Sequence, residues 1–578
     1  NIIGTARNLQ INTTFTGEGG WSVAAINICS LSNVNIHNNI ISNSRGDHLD
    51  TGVLLKNSQF TLQNNIIGGG TIAHTIYGYG VTVDGRYELA EDARKYSYIL
   101  GNFINNIYTL IGQTALDNCT NRYALTANGK SCGGTAVLLE GAKYNWIYNN
   151  IIGDATLPNQ GYGIEIEGTI SGFTSLNSSG ISFNASAMNK IFSNIIGYNV
   201  GDGIHVGTIQ NTTNDNSLNS SACTRETVVG TEYTNNCDNL ITQNSLFRNG
   251  RYNEPNFASL ISSPEGGIGI DLRSSTDTVE QKYGLTAFTG SGTTNDSDIS
   301  LNINATDADV GGNEVLNFPI ISGTGSTTTS SSSYEIKGTL ADNANGKYWV
   351  EVYAIMCPAE GTATPTITYT NAFTNCDTDS ISGSEQTARQ TYGQGAFFLC
   401  GALVNKTTAA NSERWSCKPS DIGITTFTSG LITATATKLP ANITKVDYRT
   451  NPPSIVPPDF ASRLTGRFTC EIALEFLTFT NNTCASTVNQ KALVNLNGYE
   501  AMILNGLGST SEFSQNVYIS RSSMSVTKTA RVCTNSSTCT GAFASSVTAT
   551  PGQLVEFKID VHNESGTTTF PTFTDTLP

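Results

Sequence analysis

Charge is scarce in this chain. Only 13% of its 578 residues are Asp, Glu, Lys or Arg, and the net charge of −15 argues against a nucleic-acid-binding surface or a basic membrane patch. Long apolar runs are also lacking: nothing approaches the roughly 20 residues of a membrane span, and no secretory leader opens the sequence. The five histidines are scattered and no cysteines show CxxC spacing, which speaks against a cysteine zinc site. A helical period is missing from the segments beyond residue 318.

What is abundant is Asn, Gly, Ser and Thr, arranged in a recurring phrase. NNIIS begins at Asn38, NNIIG at Asn64 and Asn149, and SNIIG at Ser193, with looser copies in GNFINNI from Gly101 and QNSLF from Gln243. A second phrase alternates with it: GVLL at Gly52, GVTV at Gly80, AVLL at Ala136, GIEI at Gly163, GIHV at Gly203 and GIGI at Gly267. Its period of two, carried by branched aliphatics, predicts short strands with one face buried. Asn and Gly mark the turns. The first two NNII copies lie about 26 residues apart, close to one turn of a wide parallel β-helix, and later copies about 37 to 50 apart, so loops are inserted. The recurring Asn is expected to stack on its equivalents above and below, bonding backbone groups that a corner leaves unpaired.

Twelve of the thirteen cysteines fall into near neighbours: Cys119 with Cys132, Cys223 with Cys237, Cys357 with Cys376, Cys400 with Cys417, Cys470 with Cys484, and Cys533 with Cys539. Six local disulfides are predicted, which implies an oxidising, extracellular setting. Cys29 is left over and is expected to be a buried thiol. Asn-X-Ser/Thr sequons recur; Asn118, Asn184, Asn211, Asn405 and Asn535 are the candidate glycosylation sites of a secreted glycoprotein.

The length predicts three or four domains. The repeat spans 1–273 with disulfide-stapled insertions, and an Asp/Gly-rich connector spans 274–317. There Asp307, Asp309 and Asn313 are hard oxygen donors beside glycines, so calcium is the expected cofactor, with no organic cofactor. From 318 to 523, YEIKGTL, KYWVEVYAI, GAFFLC, LITATAT and SEFSQNVYIS read as strands of a β-sandwich, with a subdomain inserted at about 438–506. The order GIGIDL, NEVLNFPII, GTL, EVYA, ITATAT, STSEFS resembles large bacterial surface proteins in which a right-handed parallel β-helix, a pectate-lyase-like solenoid, precedes an Ig-like module. The segment 524–578, with SVTKTA, PGQLVEFKIDVHNESG and FTDTLP, resembles a repeated Ig-like surface domain of unknown function. The opening NIIGTA is the tail of the repeat phrase and implies a coil before Asn1; the family continues past its TDTLP phrase.

Fold analogy with pectate lyases and polygalacturonases raises polysaccharide cleavage, which requires paired carboxylates or a base beside calcium-bound carboxylates. The acidic candidates are Asp47, Asp50, Asp84, Asp202 and Asp271. None forms the paired-aspartate motif of polygalacturonases, and Asp202 with His205 reads as an ordinary Gly-Asp-Gly turn before an outward strand position. No catalytic residues are assigned and no enzyme is expected. The expected function is an extracellular structural protein of a prokaryotic cell surface, the subunit of a filament, sheath or surface layer. It would self-assemble through β-helix ends and Ig-like domains, with Val555, Phe557, Ile559, Phe570 and Phe573 as apolar assembly residues. A cell-anchored adhesin and a polysaccharide-binding or polysaccharide-cleaving protein are the alternatives, with a cell-surface or polysaccharide ligand as partner and no membrane insertion.

Overall fold

The computed structural model describes residues 24–29, 34–41, 51–69, 76–85, 97–108, 134–154, 157–171, 182–207, 236–247, 249, 269–272, 313, 316–325, 335–340, 345–355, 394–407, 413–419, 429–439, 508–514, 516–520, 524–533, 539 and 541–563. Among these, every regular element is a strand, and no helix is long and apolar enough to cross a membrane.

Each glycine-led phrase supplies one strand to the first of three long parallel sheets, beside which Ile76–Tyr77 and Ile107–Tyr108 pair in a short parallel fourth. In spatial order these are Ile26–Cys29, Thr51–Lys56, Tyr79–Asp84, Thr135–Glu140, Ile164–Glu167, Ile204–Val206 and Ile270–Leu272. The second sheet stacks Val34–His37, Phe60–Gln63, Ser97–Leu100, Asn145–Tyr148, Lys190–Phe192 and Leu240–Thr242. The third stacks the Ile-Ile pairs, from Ile40–Ile41 through Ile66–Ile67, Phe103–Ile104, Ile151–Ile152 and Ile195–Gly197 to Ser245–Phe247. Up to Leu272 the chain is therefore an all-β parallel solenoid. Register carries Val53 onto Val81, Val137, Ile164, Ile204 and Ile270 in turn. This row is buried in the coil interior with Leu62, Ile99, Ile147 and Ile191 of the second sheet and Ile67, Ile104, Ile152 and Ile196 of the third.

The two asparagines of the NN phrase have different jobs. The first position turns the corner with a left-handed backbone, φ 62° at Asn38, 53° at Asn64, 61° at Gly101, 55° at Asn149, 55° at Ser193 and 50° at Gln243, where Asn and Gly are the residues of least strain. The second forms the ladder. Asn39, Asn65, Asn102, Asn150, Asn194 and Asn244 follow one another, each Nδ2 donating to the next Oδ1 at 2.9–3.0 Å. Each next Oδ1 also accepts the backbone N–H of the Asn before it. Two further ladders occupy the other corners. One runs Asn145, Asn189, Asn239, Asn313, the other Asn159, Asn199, Asn249. Buried corner amides are thereby paired at level after level.

On its outer face the second sheet carries Tyr98, Trp146, Tyr148 and Phe192, with Tyr148 and Phe192 stacked at 4.9 Å and Trp146 set edge-on to Tyr98 and Phe192. Lys190 lies buried over the Trp146 ring at 5.0 Å, and burial lowers its ammonium from 10.5 to about 8. The unfolded chain keeps that proton up to about 10.5. Stability contributed here should therefore rise between pH 8 and 10.5, by at most about 1.4 kcal/mol per pH unit. Denaturation of Lys190→Met and wild type across that window checks this; equal slopes would refute it.

Beyond the solenoid, the four-stranded antiparallel sheet Phe397–Lys406, Gly346–Ala354, Ser429–Leu439, Val517–Ser520 faces the three-stranded sheet Ile320–Gly325, Glu335–Leu340, Glu413–Cys417. Their shared core holds Ile336, Leu340, Tyr348, Val350, Leu399, Trp415 and Ile432. The Cys400–Cys417 disulfide joins one sheet to the other. Last comes a two-stranded ribbon, Met524–Val532 with Val555–Asn563, closed at one end by Cys533–Cys539. The inserted region 438–506 lies outside the described residues apart from the end of the Ser429–Leu439 strand.

The C-terminal end of the solenoid, expected to be an open junction, is covered by the chain itself. All three sheet edges are met. The N–H of Ile241 donates to Thr510 Oγ1 at 2.9 Å, that of Leu246 to the Gly395 carbonyl at 2.9 Å, and that of Leu272 to Glu512 Oε1 at 2.9 Å. Phe513 and Tyr353 enter the solenoid core, and Phe513 lies where a side chain on Gly269 would stand, 2.6 Å from the position of its Cβ. The ladders end on residues from outside the coils. Gln394 Oε1 accepts from Asn249, while Asn313 Nδ2 donates to the Thr510 carbonyl at 3.2 Å. Unpaired strand edges and an apolar cross-section both need cover, and one module supplies it.

Candidate functional site

Alternation turns the residues between the core positions outward on the first sheet. One such register row reads Leu54, Thr82, Leu138, Glu165, His205, Asp271, and the next Lys56, Asp84, Glu140, Glu167. The first row turns from apolar and neutral to ionisable along the solenoid while the second is ionisable throughout, so the late coils gather ionisable groups in a chain that has few. These groups are buried although they face outward: Glu165 is 1% exposed, His205 2% and Asp271 5%, with Asp202 and Glu167 comparable.

His205 is the centre of this cluster. Its Nδ1 lies 2.6 Å from Asp271 Oδ2 and 3.5 Å from Asp202 Oδ2, and its Nε2 lies 3.5 Å from Glu167 Oε1. The Tyr162 ring is stacked on the imidazole at 4.6 Å and 8°. Glu165 accepts from Thr135 Oγ1 at 2.9 Å. Two glycines make room. A Cβ on Gly207 would fall 2.1 Å from Glu167 Oε1, and one on Gly201 would fall 2.7 Å from the Tyr162 ring. Burial works against the imidazolium, but Tyr162 and the carboxylates of Asp271 and Asp202 outweigh it and push His205 well above the ordinary histidine value. Burial likewise raises Tyr162 well above 10. This donor set can share a proton between imidazole and carboxylate or hold a metal ion on the same atoms. Three coils meet here, so either one ties them together.

Of the acidic residues singled out in the sequence, Asp202 and Asp271 come together around His205, while Asp84 pairs with Lys56 at 3.1 Å. Asp47 and Asp50 lie outside the described residues. Glu165 and Glu167 were not read from the sequence, although a signal exists. Glu165, His205 and Asp271 each follow the glycine of their phrase, Gly163, Gly203 and Gly269, by two positions.

Of the expected calcium ligands, Asp307 and Asp309 lie outside the described residues. Asn313 is buried, its Oδ1 accepting from the Asn239 N–H at 3.1 Å and its Nδ2 donating to the Asn239 carbonyl at 2.8 Å. Its carboxamide is engaged as a ladder rung, which competes with ligation. Cys29 is exposed at the end of its strand rather than buried, because its alternate position faces away from the core. Cys400–Cys417 and Cys533–Cys539 are bonded as expected, and Cys237 is disulfide-bonded. Cys119, Cys132, Cys223, Cys357, Cys376, Cys470 and Cys484 lie outside the described residues. So do Asn118, Asn211, Asn535, Phe570 and Phe573. Asn184 ends the strand Ser182–Asn184, and Asn405 is exposed in Phe397–Lys406. Val555 is half-buried, with Phe557 and Ile559 exposed beside it. Comparison with family models, with curated proteins and with solved structures finds no match to this chain.

Proposed function

We propose that this chain is an extracellular structural protein, a subunit of a cell-surface filament, sheath or surface layer. In this reading a right-handed β-helix and an Ig-like sandwich form a capped rod, and the C-terminal ribbon makes the junction to the next subunit. The observation that carries it is the outer surface of the ribbon, where Leu554, Phe557 and Ile559 are 53%, 40% and 41% exposed. Phe557 and Ile559 share one face of the Val555–Asn563 strand and Leu554 immediately precedes it; exposed apolar side chains so placed favour a partner surface, and a two-stranded ribbon is marginal without further strands. The covered end of the solenoid removes that end from the assembly scheme, so the ribbon bears the contact, by docking or by β-augmentation. The buried position of His205 and its carboxylates fits a structural rather than a catalytic role.

A chain ending at Ser523 should keep the solenoid and sandwich yet stay monomeric under conditions where the whole chain forms head-to-tail assemblies, seen by light scattering and electron microscopy. Phe557→Asp with Ile559→Asp should do the same. Normal assembly of both variants would sink the proposal.

A second reading, an adhesin or polysaccharide-binding protein, draws on the half-exposed Tyr98, Trp146 and Tyr148 of the second sheet. It expects binding to immobilised glycans that Trp146→Ala abolishes.

A further inference from the structure

We propose that Asp202, His205 and Asp271 form a buried site for a divalent transition-metal ion of the zinc class, which pins the last coils of the solenoid together. One ligand atom from each residue lies within 4.8 Å of the other two. The fold creates this convergence. Parallel register sets His205 directly against Asp271, and the Gly201-Asp202-Gly203 turn brings a second carboxylate to the same ring nitrogen.

The distances suit small ions. Ligands about 2.0–2.2 Å from a tetrahedral zinc stand roughly 3.4 Å from one another, close to the 3.5 Å between Nδ1 and Asp202 Oδ2. The 2.6 Å between Nδ1 and Asp271 Oδ2 is a proton-sharing distance. A metal ion displaces that proton and requires the Asp271 carboxylate to swing back by under about 1 Å. Independent of these distances, Asp271 Oδ1 is buried and has no hydrogen-bond partner. A buried carboxylate oxygen without a donor is costly, and coordination that engages both oxygens of Asp271 removes the deficit.

The donor set also chooses among ions. One imidazole and two carboxylates suit zinc and its first-row neighbours, whereas calcium takes six to eight oxygens. Two carboxylates and a neutral imidazole also balance the two charges of the ion. The surroundings resemble those that orient metal-bound imidazoles. Glu167 faces the far nitrogen of His205, in space that Gly207 leaves open, and Tyr162 holds the ring plane.

The test uses the whole chain with its disulfides intact and Cys29→Ser as background, so that the exposed thiol adds no ligand. After chelation, zinc titrated by calorimetry should bind with one-to-one stoichiometry and raise the melting temperature. Cobalt in the same protein should give the visible absorption of a four-coordinate site. Asp202→Asn and Asp271→Asn should each abolish both signals, and Glu167→Gln should weaken binding about ten- to a hundredfold. Should one aspartate variant fail to fold, the other and Glu167→Gln still decide the matter. No zinc binding, binding unchanged in the variants, or an equal response to calcium would overturn the assignment.

Discussion

Replacing Asn194 by alanine should destabilise the solenoid by about 3–6 kcal/mol, on the scale of 1–3 kcal/mol for each buried polar group left unpaired. Its Oδ1 accepts both the backbone N–H and the Nδ2 of Asn150, at 3.0 and 2.9 Å. Its Nδ2 donates to the carbonyls of Ile147 and Phe192 and to Asn244 Oδ1, at 2.9, 3.1 and 2.9 Å. The alanine leaves the Asn150 N–H and two carbonyls unmatched in a place closed to water. Asn194→Asp should be no better, because an ionised carboxylate has no hydrogens for those three acceptors. Asn39, the first described rung, is the control. Its Oδ1 accepts nothing, so Asn39→Ala should cost clearly less. Denaturant titration of the three variants measures this, and equal losses at Asn39 and Asn194 would falsify the ladder as the main corner stabiliser.

Glu351→Ala should uncouple the solenoid from the sandwich and cost about 4 kcal/mol or more, by the same scale. Glu351 is fully buried at the join. It accepts from Thr242 Oγ1 at 2.6 Å and from the Gln243 N–H at 3.3 Å on the solenoid side. From the sandwich it accepts from Trp349 Nε1 at 2.9 Å and the Tyr353 hydroxyl at 2.5 Å. Three donors lose their acceptor at once, while the Gln243 N–H keeps the Tyr353 hydroxyl oxygen at 3.0 Å. The wild type should melt in one cooperative transition through this interface, whereas Glu351→Ala should show two by calorimetry. Phe513→Ala, which empties the plug over Gly269, should act in the same direction, by about 3–5 kcal/mol. A single transition at an unchanged midpoint in both variants would show that the cap is only in contact and carries no coupling.

The solenoid was legible because its physics is local and repeated. A period of two with branched aliphatics makes a strand, and an Asn that tolerates a left-handed backbone makes a corner. The NNII ladder could be read directly. The other two ladders carried a signal that was harder to see, a spacing of five through Asn189, Asn194 and Asn199 and again through Asn239, Asn244 and Asn249, the length of a three-residue strand plus its corner.

What a residue stacks upon was not legible from chain distance. Neighbouring rungs lie 26 residues apart at Asn39 and Asn65 but 50 apart at Asn194 and Asn244, so the number of residues per coil varies while the register of the rungs does not. Asp271 therefore reaches His205 across 66 residues, and Thr510 reaches Ile241 across 269. By itself the sequence determined the all-β solenoid, its corners and the positions that face its core, because each depends on a few adjacent residues and their backbone preferences. Only the tertiary structure decided that outward carboxylates gather around one buried imidazole and that the following module closes the open end. Both depend on which coils and edges stack in space, and stacking is set by register and shape rather than by proximity along the chain.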